Sequence, residues 1–164
     1  MAYEVISKAI RNRRSYRLSK FGLECKVDGS VFTLIHYGTP ILKVDLDDGE
    51  VLGYGGFSYT DSNYINHALT EIAKTYGLNR DFRCRHNRRL NKVWLEDSKG
   101  NIYNQNMQIL DKEEVKRKDR EFELKVRRAV KIWEKRIFKE NYIPGRIDET
   151  TVKPRKILAN ENVN

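Results

Sequence analysis

Between Phe21 and Phe57 the apolar residues alternate with polar ones and are interrupted by turn dipeptides, whereas from Asp61 to Tyr76 they recur every three or four residues. A chain that switches from period 2 to period 3.6 has to lay a helix on a sheet, and this switch constrains the fold more than any other feature. Leu23, Cys25 and Val27 alternate up to Asp28-Gly29, a type I′ hairpin signal, and Val31 to Tyr37 is rich in β-branched and aromatic residues. Gly38-Thr39-Pro40 turns the chain into Ile41 to Leu46, and Asp47-Asp48-Gly49 turns it into Glu50 to Tyr54, so residues 21–57 are predicted to form a meander of about four strands. Thr60, Asp61 or Ser62 caps the next helix, which gathers Ile65, Ala68, Leu69, Ile72, Ala73 and Tyr76 on one face and stops at Gly77. Phe82 to Arg85 and Lys92 to Leu95 are predicted as two further strands, and Ser98-Lys99-Gly100-Asn101 returns the chain into Ile102 to Asn104.

The compact unit should end near Leu110. Asp111 then caps a helix running to about Glu140, roughly 40 Å long at 1.5 Å per residue, and Pro144-Gly145 ends it. The expected class is α+β: a small antiparallel sheet, a covering helix over 61–76 and a long C-terminal helix. Four segments follow: a basic N-terminal arm or short helix (1–20), the α+β domain (21–110), the long charged helix (111–140) and a flexible tail (141–164). The tail includes Pro154 and an Asn-rich terminus.

Charge is distributed in blocks. The 164 residues carry 32 Lys and Arg against 23 Asp and Glu, a net +9. Residues 1–20 hold six basic side chains against Glu4, residues 80–92 hold six against Asp81, and residues 112–140 hold twelve against seven, so three islands of +5 are separated by acidic stretches. Such blocks leave strongly positive surfaces under a modest net charge, and they favour a polyanionic partner, nucleic acid before a membrane surface. No run nears the roughly 18 apolar residues of a membrane helix, and the N-terminus has no signal-peptide core, so a soluble, unexported protein is expected. Cys25 and Cys84 are too far apart for a CxxC, which excludes a disulfide framework or a zinc ribbon and fits a reducing cytoplasm.

The strongest binding signal is RDFRCRHNRRLNK, Arg80 to Lys92, followed by Trp94. Arg80, Arg83, Arg85, Arg88, Arg89 and Lys92 offer cations to phosphates, and Phe82, His86 and Trp94 offer rings to unpaired bases. Strand alternation puts Arg83 and Arg85 opposite Phe82, Cys84 and His86; the plainer alternative is a solvated outer face on a strand pair. The second candidate is the N-terminal arm with Arg11, Arg13, Arg14 and Arg17, which orders along a phosphate backbone or simply aids solubility. On the long helix Phe122, Val126, Ala129, Val130, Trp133 and Ile137 follow 3–4 spacing, either core or a dimer seam, while its basic residues are interspersed with Glu in i,i+3 and i,i+4 pairs.

Catalytic readings are thinner. Gly53-Tyr54-Gly55-Gly56 lacks the Lys-Ser/Thr and the GxGxxG spacing of a phosphate loop and reads as a bulge or a sharp strand-to-helix exit. Cys84 and His86 point the same way from a strand but have no further zinc ligands beside them. His86-Asn87 lacks the second histidine of a His-Asn-His finger, and Glu123-x-Lys125 is a chance spacing on a charged helix, so no catalytic residue, metal or cofactor is assigned; a metal-dependent nuclease stays as a second alternative.

Tyr37-Gly38-Thr39-Pro40-Ile41, the short acidic hairpin, Gly55-Gly56-Phe57-Ser58-Tyr59-Thr60, a helix with Ile65-Asn66, and a basic strand pair ending Val93-Trp94-Leu95 together resemble a group of small uncharacterised bacteriophage proteins. The resemblance covers about residues 25–96, with Phe57 standing where the group has Trp and Asp61 where it has Thr. The basic N-terminus is similar to those of some phage inhibitors of CRISPR nucleases. The resemblance implies phage origin and a host-cytoplasm setting. The expected function is therefore a non-enzymatic phage accessory protein that binds nucleic acid or a host nucleoprotein complex such as a Cas effector. The alternative is a virion-associated or structural protein that forms a homodimer through Phe122, Val126, Trp133 and Ile137.

Overall fold

The computed structural model describes residues 1–78 and 80–141. The chain divides into two units, Met1–Lys112 and Glu113–Asn164. The first has the order α1 (Ala2–Asn12), β1 (Tyr16–Leu18), β2 (Leu23–Asp28), β3 (Val31–His36), β4 (Thr39–Asp45), β5 (Val51–Tyr54), α2 (Tyr59–Tyr76), β6 (Phe82–Asn87), β7 (Lys92–Asp97), β8 (Ile102–Tyr103) and β9 (Ile109–Leu110). The fold is α+β with antiparallel strands, a covering helix and a long C-terminal helix, as the periodicity predicts. The strands form two sheets, however, β1-β2-β3-β4-β5 and β6-β7-β8-β9.

In the first sheet Leu23, Cys25, Phe32, Leu34, Leu42, Val44 and Val51 are buried. The register Cys25↔Leu34↔Leu42 and Val27↔Phe32↔Val44↔Val51 aligns these residues across the strands on one face. The β2–β3 loop is Gly29-Ser30, one residue later than Asp28-Gly29, and only Gly29 has positive φ, the requirement of a II′ turn rather than I′. Tyr37 and Gly38 between β3 and β4 both have positive φ, which is the I′ pattern.

Residues 1–20 are not an open arm. Ala2, Ile6, Ala9 and Ile10 recur at helical spacing, and all four are buried in the same core cluster as the first sheet and α2. Burying that stripe outweighs the tendency of the arginines to stay solvated, and the chain then returns through β1, paired with β2 from Tyr16↔Cys25 to Leu18↔Leu23.

Ser58 is the N-cap of α2, ahead of the three residues expected from sequence: its hydroxyl accepts the Asp61 N–H while the Asp61 carboxylate accepts the Ser58 N–H, a reciprocal capping box. Gly77 closes the helix in the left-handed conformation, as expected. The Gly53–Gly56 run has a packing explanation. A Cβ on Gly55 would lie 2.7 Å from the Pro40 carbonyl oxygen, and Gly56, at φ +91°, abuts the Asp61 side chain. The core runs from Ala2 to Leu95 and includes Tyr64, Ile65, Ala68, Leu69 and Ile72 of α2 and Cys84, Val93 and Leu95 of the second sheet.

The described part of the second unit belongs to α3 (Lys112–Asn141). Ion pairs one turn apart, Glu113–Lys116, Glu114–Lys118 and Arg117–Glu121, reinforce its first half. The predicted tail beyond Asn141 lies outside the described residues. Among the described residues no helix is long and apolar enough to cross a membrane.

Candidate nucleic-acid interface

The basic segment folds as the β6–β7 hairpin, with register Phe82↔Asp97, Arg83↔Glu96, Cys84↔Leu95, Arg85↔Trp94, His86↔Val93 and Asn87↔Lys92. Cross-strand partners share a face, so the inner face carries Phe82, Cys84, His86, Val93 and Leu95, and the outer face carries Arg83, Arg85, Lys92, Trp94 and Glu96. Cys84, Val93 and Leu95 are buried. Phe82 meets the Tyr103 ring edge-on at 5.2 Å and His86 meets Tyr59 at 5.9 Å. Phe82 and His86 therefore do not share the arginine face as base-stacking rings; the burial of their strand neighbour Cys84 turns them inward. Trp94 does share it.

On the outer face one carboxylate organises two groups. Glu96 accepts from Arg85 Nε at 3.2 Å and from the Trp94 indole N–H at 2.9 Å, while Lys92 Nζ lies 6.0 Å over the indole ring. At the tip the Asn87 Oδ1 accepts the N–H groups of Arg89 and Leu90, and Asn91 takes a left-handed φ of 48°. This shaped turn holds Arg88 and Arg89 at the end of the hairpin. The side chains of Arg83 and Arg88 make no hydrogen bond or ion pair with any described residue and are exposed.

Arg80 has a different role. Its guanidinium donates to Thr70 Oγ1 and Asn66 Oδ1, both at 2.7 Å, and to the Phe82 carbonyl, so it joins α2 to β6. Burial, and then the nearby Arg83 charge, lower its pKa. Asn66 completes the joint: its Oδ1 also accepts the Cys84 N–H at 2.8 Å, and its Nδ2 donates to the Cys84 carbonyl at 2.9 Å. One side-chain amide thus covers a rung of the β6 edge as a neighbouring strand would.

The N-terminal candidates divide in the same way. Arg11 pairs with Glu71 at 3.2 Å. Arg13, at the left-handed C-cap of α1, reaches Asp47 at 2.7 Å and the Tyr76 hydroxyl at 3.2 Å, and its guanidinium lies 4.9 Å over the Tyr76 ring. The hydrogen bonds to Asp47 and Tyr76 raise its pKa. Arg14 and Arg17 are exposed and make no side-chain hydrogen bond or ion pair with any described residue. On α3, Phe122, Val126, Trp133 and Ile137 fall within an arc of about 60° at 100° per residue, one side of the helix.

Sequence reading missed a set of side chains around the start of α2. The His36 Nδ1–H donates to Asp61 Oδ1 at 2.6 Å, and Asp61 Oδ2 accepts the N–H groups of Phe57 and Ser58. The two residues lie 25 positions apart, His36 at the end of β3 and Asp61 in the first turn of α2, with β4 and β5 between them in the chain. His67 Nε2 stands 3.0 Å from the Tyr3 carbonyl and 2.8 Å from Ser7 Oγ. A carbonyl only accepts, so this nitrogen carries the proton and has no lone pair with which to activate Ser7; the contact ties α1 to α2. Burial pushes the thiols of Cys25 and Cys84 up to about 12. Among the described residues no three His, Cys, Asp or Glu side chains are placed to hold a metal ion, and the buried Nε2 of His86 has no hydrogen-bond partner. Compared with protein-family models, with curated proteins and with solved structures, the chain matches none.

Proposed function

We propose that this is a non-enzymatic accessory protein of phage type that binds nucleic acid, by itself or within a host nucleoprotein complex such as a CRISPR effector, in the host cytoplasm. The observation that supports the reading is the partition of the β6–β7 hairpin: Arg83 on its outer face and Arg88 at its tip are exposed with no side-chain partner among the described residues, and Arg85, Lys92 and Arg89 lie on the same face and tip, Arg85 beside Glu96. Solubility does not require such an excess, and phosphate recognition does. Arg14 and Arg17 are secondary contacts. Arg11, Arg13 and Arg80 leave the binding set, because their guanidinium groups tie elements of the fold together; Arg85 is paired as well, with Glu96 on its own hairpin, and contributes only in competition with that carboxylate. The phage setting is supported by the resemblance across residues 25–96.

Titration of labelled DNA and RNA against salt tests the reading. Binding is expected at low salt with log affinity falling linearly against log salt, and replacing Arg83, Arg85, Arg88 and Arg89 together by Ala should flatten that slope by about 3 to 4. Absence of binding at low salt refutes the proposal. A variant with an unchanged slope clears the hairpin of the role.

A further inference from the structure

Two large aromatic side chains are left in solvent at the start of α2: Tyr59 is 66% exposed and Phe57 44%. Their backbone is held firmly. Asp61 accepts the Phe57 and Ser58 N–H groups, Ser58 caps the helix, and the Tyr59 carbonyl accepts the Ser62 hydroxyl. The Tyr59 ring also meets His86 on β6, two residues before Arg88 at the hairpin tip. The Tyr59 ring therefore stands close to an arginine-bearing turn, and Phe57 lies two residues before Tyr59 in the chain.

These two chemistries recognise different parts of one ligand. Guanidinium groups take phosphates from single and double strands alike, whereas an exposed ring gains by stacking on the face of a base, and a duplex keeps its base faces inside its own stack. We infer that the corner formed by Phe57, Tyr59 and the tip arginine Arg88 takes single-stranded nucleic acid, its bases stacking on the two rings and its phosphates lying along the hairpin. The inference rests on the nucleic-acid reading above and adds to it the strandedness of the ligand and the residues that select it.

The full chain is titrated with a single-stranded oligonucleotide of about 20 nucleotides, with an abasic strand of the same length, with the matching duplex and with heparin, all at one salt concentration. The natural strand should bind about tenfold or more tightly than the abasic one, and the Phe57→Ala/Tyr59→Ala variant should abolish that difference while leaving duplex, abasic and heparin affinities unchanged. Tyr59→Leu keeps apolar bulk at the helix start and should lose part of the same preference, which covers the case in which the double variant melts early. Equal binding of natural and abasic strands, or a preference that survives both variants, overturns the stacking inference and leaves polyanion binding standing. If the unmodified protein binds neither heparin nor any nucleic acid, both readings fall.

Discussion

A carboxylate that is 4% exposed must be held by donors, and Asp61 has three: the Phe57 and Ser58 N–H groups on one oxygen and the His36 ring on the other. Burial alone would raise its pKa, but hydrogen bonds from Ser58, Phe57 and His36 outweigh that cost and lower it. Asp97, the last residue of β7, is similar: burial raises its pKa, while Asn101, Tyr103 and the Lys99 N–H bring it down to about 2. Both folded values lie below the roughly 3.9 of an unfolded Asp, so the stability they lend is complete above that value and drains away as pH falls through the folded ones. Urea unfolding as a function of pH should show a steep loss of stability between about pH 4 and pH 2. Asp61→Asn should flatten part of that acid limb and cost about 1–3 kcal/mol at pH 7, since one amide oxygen cannot serve both the capping box and His36. An Asp61→Asn protein with the unmodified acid limb would show that the carboxylate is not the group being titrated.

At the level of elements, the joint between α2 and the second sheet is made by one amide. The Asn66 side chain satisfies the Cys84 N–H and carbonyl and receives Arg80. Asn66→Ala strands both backbone groups at a buried residue and should cost about 2–4 kcal/mol, whereas Asn66→Asp, which keeps the acceptor and loses the donor, should cost less. Amide exchange should show the difference first in β6, and equal protection of the Cys84 N–H in all three proteins would mean that the edge is covered by something else. The hairpins, the α2 stripe and the Gly77 stop were legible in the sequence, because turn residues and periodicity are local signals. The N-cap was not, since Ser58, Thr60, Asp61 and Ser62 have similar local chemistry and only the fit of Asp61 beneath Gly56 and His36 decides among them. Alternation separated Arg83 and Arg85 from Phe82 and His86, but it carries no information about which face meets α2, so Phe82 and His86 proved to line the packed side while Trp94 lies with the arginines. Arg80 reads like its neighbours in sequence and differs only through Thr70 and Asn66, ten and fourteen residues away.

For the whole molecule, the +9 net charge overstates what a ligand meets. The first island commits Arg11 and Arg13 to Glu71 and Asp47, and the third commits Lys116, Arg117 and Lys118 to glutamates on their own helix. The second island commits Arg80 to Thr70 and Asn66 and Arg85 to Glu96, and leaves Arg83 and Arg88 exposed with no side-chain partner among the described residues. The division at Lys112 turns this into an experiment, because the core from Ala2 to Leu95 and the whole hairpin lie in the first unit. A fragment of residues 1–112 should unfold cooperatively in urea and should keep most of the salt slope of the full chain, with the difference set by the cations of α3 that are not paired within the helix together with Arg146, Lys153, Arg155 and Lys156, which the fragment also lacks. Light scattering on the two proteins addresses the assembly alternative in the same preparation. A dimeric full chain that becomes monomeric on removal of 113–164 or on Trp133→Ala, with a fragment that no longer binds polyanions, would move the function from the hairpin to the Phe122, Val126, Trp133 and Ile137 stripe. Retained binding by a monomeric fragment would assign it to the hairpin and leave α3 a separate task.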